Sequence, residues 1–526
     1  MNPSGDKRES SDVGAAGSDQ PQQKKSKNVS DFENYLAGLD KEGTWKRPDL
    51  PALDSKLDSL IFQQVEVDHY IEKSEDDKGP VPIIRMFGVT VEGNSVCCHV
   101  LGFRPYIFIK TPQSLTKDNL EKFKNAMNKA LLDDLNNNTF GVVEAVVTCE
   151  FVEKIVGNQA SSSFVKITLA IPELAAAAEK LLRRGQVNMA ELEEVGSIQA
   201  LEANVDFVVR LMADRNLGGC SWVELPAGTW ERRDGERLDS RCQLEVEVAW
   251  QSFIPHQAEG TKVAPLRILS LDIECDGRPG KFPVPELDPV ILISSLVVRY
   301  GEQQPFIRTV FTLKSCEPIP GTSVVSCDQE NDLLAQWAAF FRDCDPDIIT
   351  GYNVNHFDLA YLIRRAKKLN VPNFSFLSRI TNIPSEVKKV FAGSQYILVD
   401  LDKKKVNTSI NMEGRVTFDM VLILMQDLNL KFPGKLESFS QKYLKEGKEE
   451  VDYKEISSLQ AGDSHTRRRI ALYCLKDAHL PLALSNKLGS IEKHLELART
   501  GGVPLSFTSY LKNGGTQIKA VSEKLR

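Results

Sequence analysis

No CxxC pair occurs among the ten cysteines of this 526-residue chain, so the closely spaced thiols of most structural zinc sites are missing. The densest cluster, Cys97-Cys98-His99, is a poor set of joint zinc ligands because adjacent residues on a strand face opposite ways. No apolar run approaches the ~20 residues of a membrane span, and the N-terminus has no apolar signal core. The expectation is a cytosolic or nuclear protein with reduced, buried cysteines. Positive charge is not in excess either: the formal net charge is −7, so nucleic-acid contact would need local basic surface. There is no internal repeat. What is present is a chain long enough for two or three domains, with 42% hydrophobic and 26% charged residues, sufficient for a sizeable core.

Residues 1–50 are polar, with few large apolar side chains, and are expected to be a disordered tail. Lys24-Lys25-Ser26-Lys27 reads either as a nuclear import signal or as a solvated charge cluster. Residues 51–262 form one mixed, β-rich domain: strands over 83–110 around the turn Glu92-Gly93-Asn94, a helix over 114–133, strands over 139–172 and a helix over 173–185. Trp222, Trp230 and Trp250 are read as packing residues. From 263 to 490 the order is strand (266–275), strand (289–300), strand (306–313), helix (329–344), strand (347–353) and helix (357–369). That order is α/β and RNase H-like. A hairpin with a basic tip is expected over 390–415, a helix near 434–445 and a long helix from about 464. Residues 491–526 read as a helical segment.

The run "LSLDIECDG" places Asp272 and Glu274 on one face of an apolar strand, roughly 6–7 Å apart, where two acids are costly unless neutralised. "GYNVNHFDLAYL" places Asp358 in the first turn of a helix, which favours a carboxylate with or without further purpose. "TRRRIALYCLKDAHLPLAL" puts Tyr473 and Asp477 four residues apart on one helix face, with Pro481 expected to bend or interrupt the helix beyond them. Each piece is common alone. Together they are four hard-oxygen acids with no ligand-spaced His or Cys, a set suited to Mg²⁺ or Mn²⁺. Two such ions ~3.5–4 Å apart support in-line phosphodiester hydrolysis, with Tyr473 orienting the water. Asp276 is read as a turn residue at the strand end.

These residues resemble the three exonuclease motifs of the DEDD nuclease superfamily, in the subgroup with Tyr on the last helix; position 472, the histidine place of the other subgroup, is leucine. "LRILSLDIECDGR", "DPVILISSL", "DPDIITGYNVNHFDLAYL", "GRVTFDM" and "TRRRIALYCLKDAHLPL" further resemble the family B DNA polymerases of eukaryotic replication, and the likeness runs from about residue 80 to 526. It implies Asp272, Glu274, Asp358 and Asp477 as metal-binding acids, Tyr473 as the water-orienting residue and two Mg²⁺ or Mn²⁺ ions. It also implies DNA contact at Asn353, Phe357, Lys403, Lys404 and Lys405, although the three lysines read equally well as a solvated loop tip. The triplet Arg467-Arg468-Arg469 either faces DNA or fixes its helix. One departure is His356-Phe357-Asp358-Leu359-Ala360, where relatives carry Asn-Phe-Asp-Leu-Pro. Another is the absence of the "SLYPS" and "DTD" palm strings.

The expected function is therefore 3′→5′ removal of mispaired nucleotides from primer ends, as the N-terminal and proofreading part of a replicative, nuclear polymerase involved in replication and repair. DNA synthesis is expected of the parent family and not of this chain. Partners implied by the resemblance are primer–template DNA, single-stranded 3′ ends, accessory polymerase subunits and a sliding clamp. The main docking regions for the subunits and clamp lie outside this sequence, as do the cysteine clusters of the family's iron–sulfur site. The competing expectations are a catalytically weak fragment that binds DNA or a subunit, and a free-standing exonuclease on RNA or DNA. The long N-terminal region disfavours the second.

Overall fold

The computed structural model describes residues 31–73, 79–135, 140–154, 162–187, 197–256, 262–390, 407–430, 434–447 and 451–509. Its centre is a six-stranded mixed sheet in the order Ser323–Cys327, Ile307–Leu313, Val290–Arg299, Arg267–Cys275, Ile348–Gly351, Val416–Asp419. The strand Arg267–Cys275 is antiparallel to Val290–Arg299 and parallel to Ile348–Gly351. A strand flanked on both edges and covered on both faces must be apolar throughout. Its run of buried residues is broken only at Asp272 and Glu274, which are partly exposed.

Two apolar layers sandwich this sheet. One face carries the helices Glu330–Cys344 and Asp358–Lys368, with Trp337, Phe340 and Phe341 against Leu269, Leu271 and Ile273. The other carries the long helix Ser464–Leu488, with Ile470, Leu475 and Leu484 against Ile268, Leu292 and Leu296. The short parallel strand Ser323–Cys327 lay outside the sequence expectation. A five-residue stretch carries too little periodicity to be read alone.

Residues 51–262 are built around two sheets. A seven-stranded sheet contains Leu60–Lys73, Pro80–Val89, Ser95–Leu101 and Leu244–Ala249; a four-stranded one contains Tyr106–Lys110, Val146–Lys154 and Ser162–Leu169. Trp222 and Trp230 are buried, and Trp250 packs against Phe103.

Two expectations are corrected. Residues 31–50 are ordered, whereas 1–30, with the lysine cluster, lie outside the described residues. Residues 31–37 are helical, Phe32 and Leu36 are buried, and Glu42 accepts hydrogen bonds from Arg308 N and Thr309 Oγ1. Arg47 is buried between Asp345 and Asp347, at 2.6 and 2.7 Å, and also donates to the Gly93 carbonyl. A few well-placed side chains anchor a segment whose average composition reads as disordered. The long helix also runs uninterrupted through Pro481. Its neighbours Leu480, Leu482 and Leu484 are buried, and this packing offsets the one helical hydrogen bond that proline removes.

Candidate functional site

Alternation along the central strand turns Leu271 and Ile273 into the core, 1% and 3% exposed, and turns Asp272 and Glu274 to the opposite face. The next strand of the site ends at Gly351. An alanine Cβ there would stand 2.7 Å from the Leu271 carbonyl oxygen, so the two backbones approach as closely as they do only because the residue is glycine. After it the chain makes a tight turn with Asn353 in the left-handed region, φ 71°, and enters the helix Asp358–Lys368.

That turn delivers Asp358 onto the central strand. Its Oδ1 accepts a hydrogen bond from Ile273 N at 3.1 Å, between Asp272 and Glu274. Asp358 is 2% exposed. Burial pushes its carboxyl up to about 8, and the nearby Asp419 and Asp477 charges push the same way. The long helix brings Tyr473 and Asp477 from the other side. Burial raises the Tyr473 hydroxyl, as do Asp477, Glu274 and Asp272, and it hydrogen-bonds Asp477. All five residues picked out by the sequence thus converge on one end of the sheet, from segments up to two hundred residues apart.

The helix is fixed to the strand by a pair of small groups. Ser294 Oγ donates to the Cys474 carbonyl at 2.9 Å, and Cys474 Sγ lies 3.4 Å from the Asp272 carbonyl oxygen. Ligand atoms of Asp272, Glu274 and Cys474 all lie within 4.8 Å of one another. Asp276 is occupied elsewhere, accepting from Ser457 Oγ.

Sequence reasoning missed two residues. Asp419, 1% exposed, accepts from Asn353 N at 2.9 Å, Asn355 N at 3.1 Å and Val421 N at 3.1 Å. It therefore holds the turn that places Asp358; the only signal was its place in "GRVTFDM". Phe282 is 75% exposed and packs edge-on against Phe357, ring centroids 5.4 Å apart. A single aromatic in a Pro- and Gly-rich loop gives no periodic signal.

Of the expected DNA contacts, Asn353 and Phe357 sit on the turn beside Asp358. Lys403, Lys404 and Lys405 lie outside the described residues, between the antiparallel strands Val387–Val390 and Asn407–Ile410. The arginine triplet divides. Arg467 is buried and donates to the Ser315, Gln460 and Gly462 carbonyls, while Arg468 bonds Pro318 O and Glu33. These two fix the helix, and Arg469 is exposed.

Residues 198–439 match the family described as DNA polymerase family B, exonuclease domain, a match that contains Asp272, Glu274, Asp358 and Asp419. The chain is 45% identical over 496 residues to the DNA polymerase delta catalytic subunit of Drosophila melanogaster, covering 92% of this chain and 44% of that protein. It is 42% identical to the protein of that name from Bos taurus, with the same coverage, and 38% identical to that of Schizosaccharomyces pombe, covering 95% and 45%. The chain thus spans less than half the length of these relatives. The family B DNA polymerase of the archaeon Pyrobaculum calidifontis has the same fold, with a TM-score of 0.61 at 20% identity over 88% of this chain and 50% of that one. Residues 198–439 are similar to the exonuclease domain of the family B DNA polymerases, and the chain as a whole resembles the N-terminal part of the DNA polymerase delta catalytic subunits.

Proposed function

We propose that the protein is a metal-dependent 3′→5′ exonuclease that trims single-stranded or frayed DNA ends, the proofreading part of a nuclear replicative polymerase. The observation that carries this reading is the convergence of Asp272, Glu274, Asp358 and Asp477 beside Tyr473. Whole-protein properties come from the relatives: DNA synthesis in replication and repair, accessory subunits and a sliding clamp are proposed for the longer protein of which this sequence matches a part.

The donor set fits Mg²⁺ or Mn²⁺. It consists of carboxylates crowded enough that burial and like charge hold Asp358 up to about 8, and a divalent cation relieves that crowding. Asp272, Glu274, Asp358 and Asp477 would hold a pair of ions, which would supply an activated water and charge compensation for the leaving 3′ oxygen. The chain's own residues do the rest. Tyr473, oriented by Asp477, presents its hydroxyl to the water, and Ile273 N–H holds Asp358 in register with the central strand. Phe282 and Phe357 offer aromatic surface on which an unpaired terminal base stacks, an interaction worth ~1–3 kcal/mol per base. A mispaired end melts at lower cost and reaches the site more often, which supplies selectivity without base readout.

The test is Asp272→Ala. The variant should keep the wild-type circular dichroism and thermal transition and lose Mg²⁺-dependent degradation of single-stranded DNA. Near-native activity in a folded variant would remove the assignment. Phe282→Ala should weaken single-strand binding about tenfold, read by fluorescence anisotropy, with little change in thermal stability.

A further inference from the structure

Apart from the carboxylate site, the seven-stranded sheet holds a second group of ligand-type side chains. The strand Ser95–Leu101 pairs in parallel with Leu244–Ala249, with Cys97 opposite Glu245. Alternation sends Cys98 to the other face, but it puts Cys97 and His99 on the same one. Cys97 and His99 are 0% exposed and Glu245 2%. Their ligand atoms lie within 4.8 Å of one another, with Cys97 Sγ 3.6 Å from His99 Nε2 and His99 Nε2 2.9 Å from Glu245 Oε1.

We propose that Cys97, His99 and Glu245 form a buried transition-metal site that takes Zn²⁺. Tetrahedral zinc with one sulfur, one nitrogen and one oxygen ligand spaces its donors roughly 3.3–3.8 Å apart. The Cys97–His99 separation already has that value, and the His99–Glu245 separation must open by a few tenths of an ångström. The other ring nitrogen is held as metal-bound imidazoles require: Nδ1 lies 3.1 Å from the Tyr70 hydroxyl. Glu245 is held in turn by Asp239 N at 3.0 Å and by Ser240 N and Oγ at 2.8 and 2.6 Å. Thiolate, carboxylate and neutral imidazole cancel the charge of the ion, the condition for burying it. On binding, the thiol proton leaves to solvent and His99 is held as the Nδ1–H tautomer, donating to the Tyr70 oxygen. The fourth position is left to water or to Cys242, which packs against the same small cluster as Cys97.

The site lies where this sheet meets the segment that follows the helix Asp358–Lys368. Ser240 bridges to Ile380, Thr381 N donates to the Asp239 carbonyl at 2.8 Å, and Arg241 N donates to Arg379 O at 2.7 Å. Zinc on Glu245 would stiffen the loop that makes these contacts.

The experiment uses the full chain, stripped with chelator and titrated with Co²⁺ in excess Mg²⁺ so that the carboxylate site is already filled. One equivalent should bind with a cobalt–thiolate charge-transfer band, and Zn²⁺ should displace it. The band should be lost in Cys97→Ser and kept in Cys474→Ser and Cys98→Ser. Absence of a band in the wild type would overturn the proposal and leave the three residues as a hydrogen-bond hub. A band that vanishes in Cys474→Ser and survives in Cys97→Ser would overturn it too, by moving the metal to the carboxylates. If Cys97→Ser does not fold, the wild-type and Cys474→Ser titrations decide alone.

Discussion

A carboxylate on a buried strand gains a use only when other residues hold its partners in place, and Asp419 shows how much of that holding is done by a residue outside the reaction. Its two oxygens accept three backbone N–H groups, two of them from the turn that precedes Asp358. In Asp419→Asn one oxygen becomes an NH₂ facing an N–H donor, and a buried donor without an acceptor costs ~1–3 kcal/mol. The expected result is an exonuclease rate reduced ~10–100-fold in a folded protein, with single-strand affinity largely kept; affinity and rate measured on the same variant check it. Tyr473→Phe should be milder than Asp272→Ala in the same assay, because all four carboxylates remain. The residues proposed to react were legible because each sits in a short motif with fixed spacing. Asp419 and Phe282 were not, because one acts through backbone groups distant in sequence and the other through exposure alone.

Among the elements, the central strand and the long helix were readable from apolar patterning, and the errors follow from what patterning omits. The helix was expected to bend or be interrupted near Pro481 because propensity weighs a proline at ~3 kcal/mol; burial on the sheet keeps it continuous. Residues 31–50 were lost for the opposite reason, since a few anchors such as Leu36 and Arg47 do not change an average. The N-terminal end of the long helix rests on Arg467, whose guanidinium satisfies three carbonyls. Arg467→Ala should lower stability by ~2–4 kcal/mol, whereas Arg469→Ala, at an exposed position, should stay within ~0.5 kcal/mol; denaturant melts of the two distinguish them. Gly351→Ala should separate the strands that carry Asp272 and deliver Asp358, because the added Cβ meets the Leu271 carbonyl oxygen at 2.7 Å.

Across the whole molecule, Glu66 ties the first strand of the seven-stranded sheet to the last described helix, accepting from Ser506 Oγ at 3.0 Å. Burial raises its carboxyl to about 8 from an ordinary 4.5. The folded chain therefore holds a proton that the unfolded chain has released across that window. The stability this contributes is fully present below pH 4.5 and is lost as pH rises through about 8. Glu66→Gln should flatten this part of the stability–pH curve, as thermal melts across the window would show. Acids from three distant segments are proposed to act together on a DNA end. Incubating the purified chain with Mg²⁺ and a 5′-labelled single strand tests it most directly. A ladder of products shortening one nucleotide at a time from the 3′ end, absent without divalent metal and absent in Asp477→Ala, is the predicted result; release of the label from the 5′ end, or a ladder unchanged in the folded Asp477→Ala variant, would contradict it.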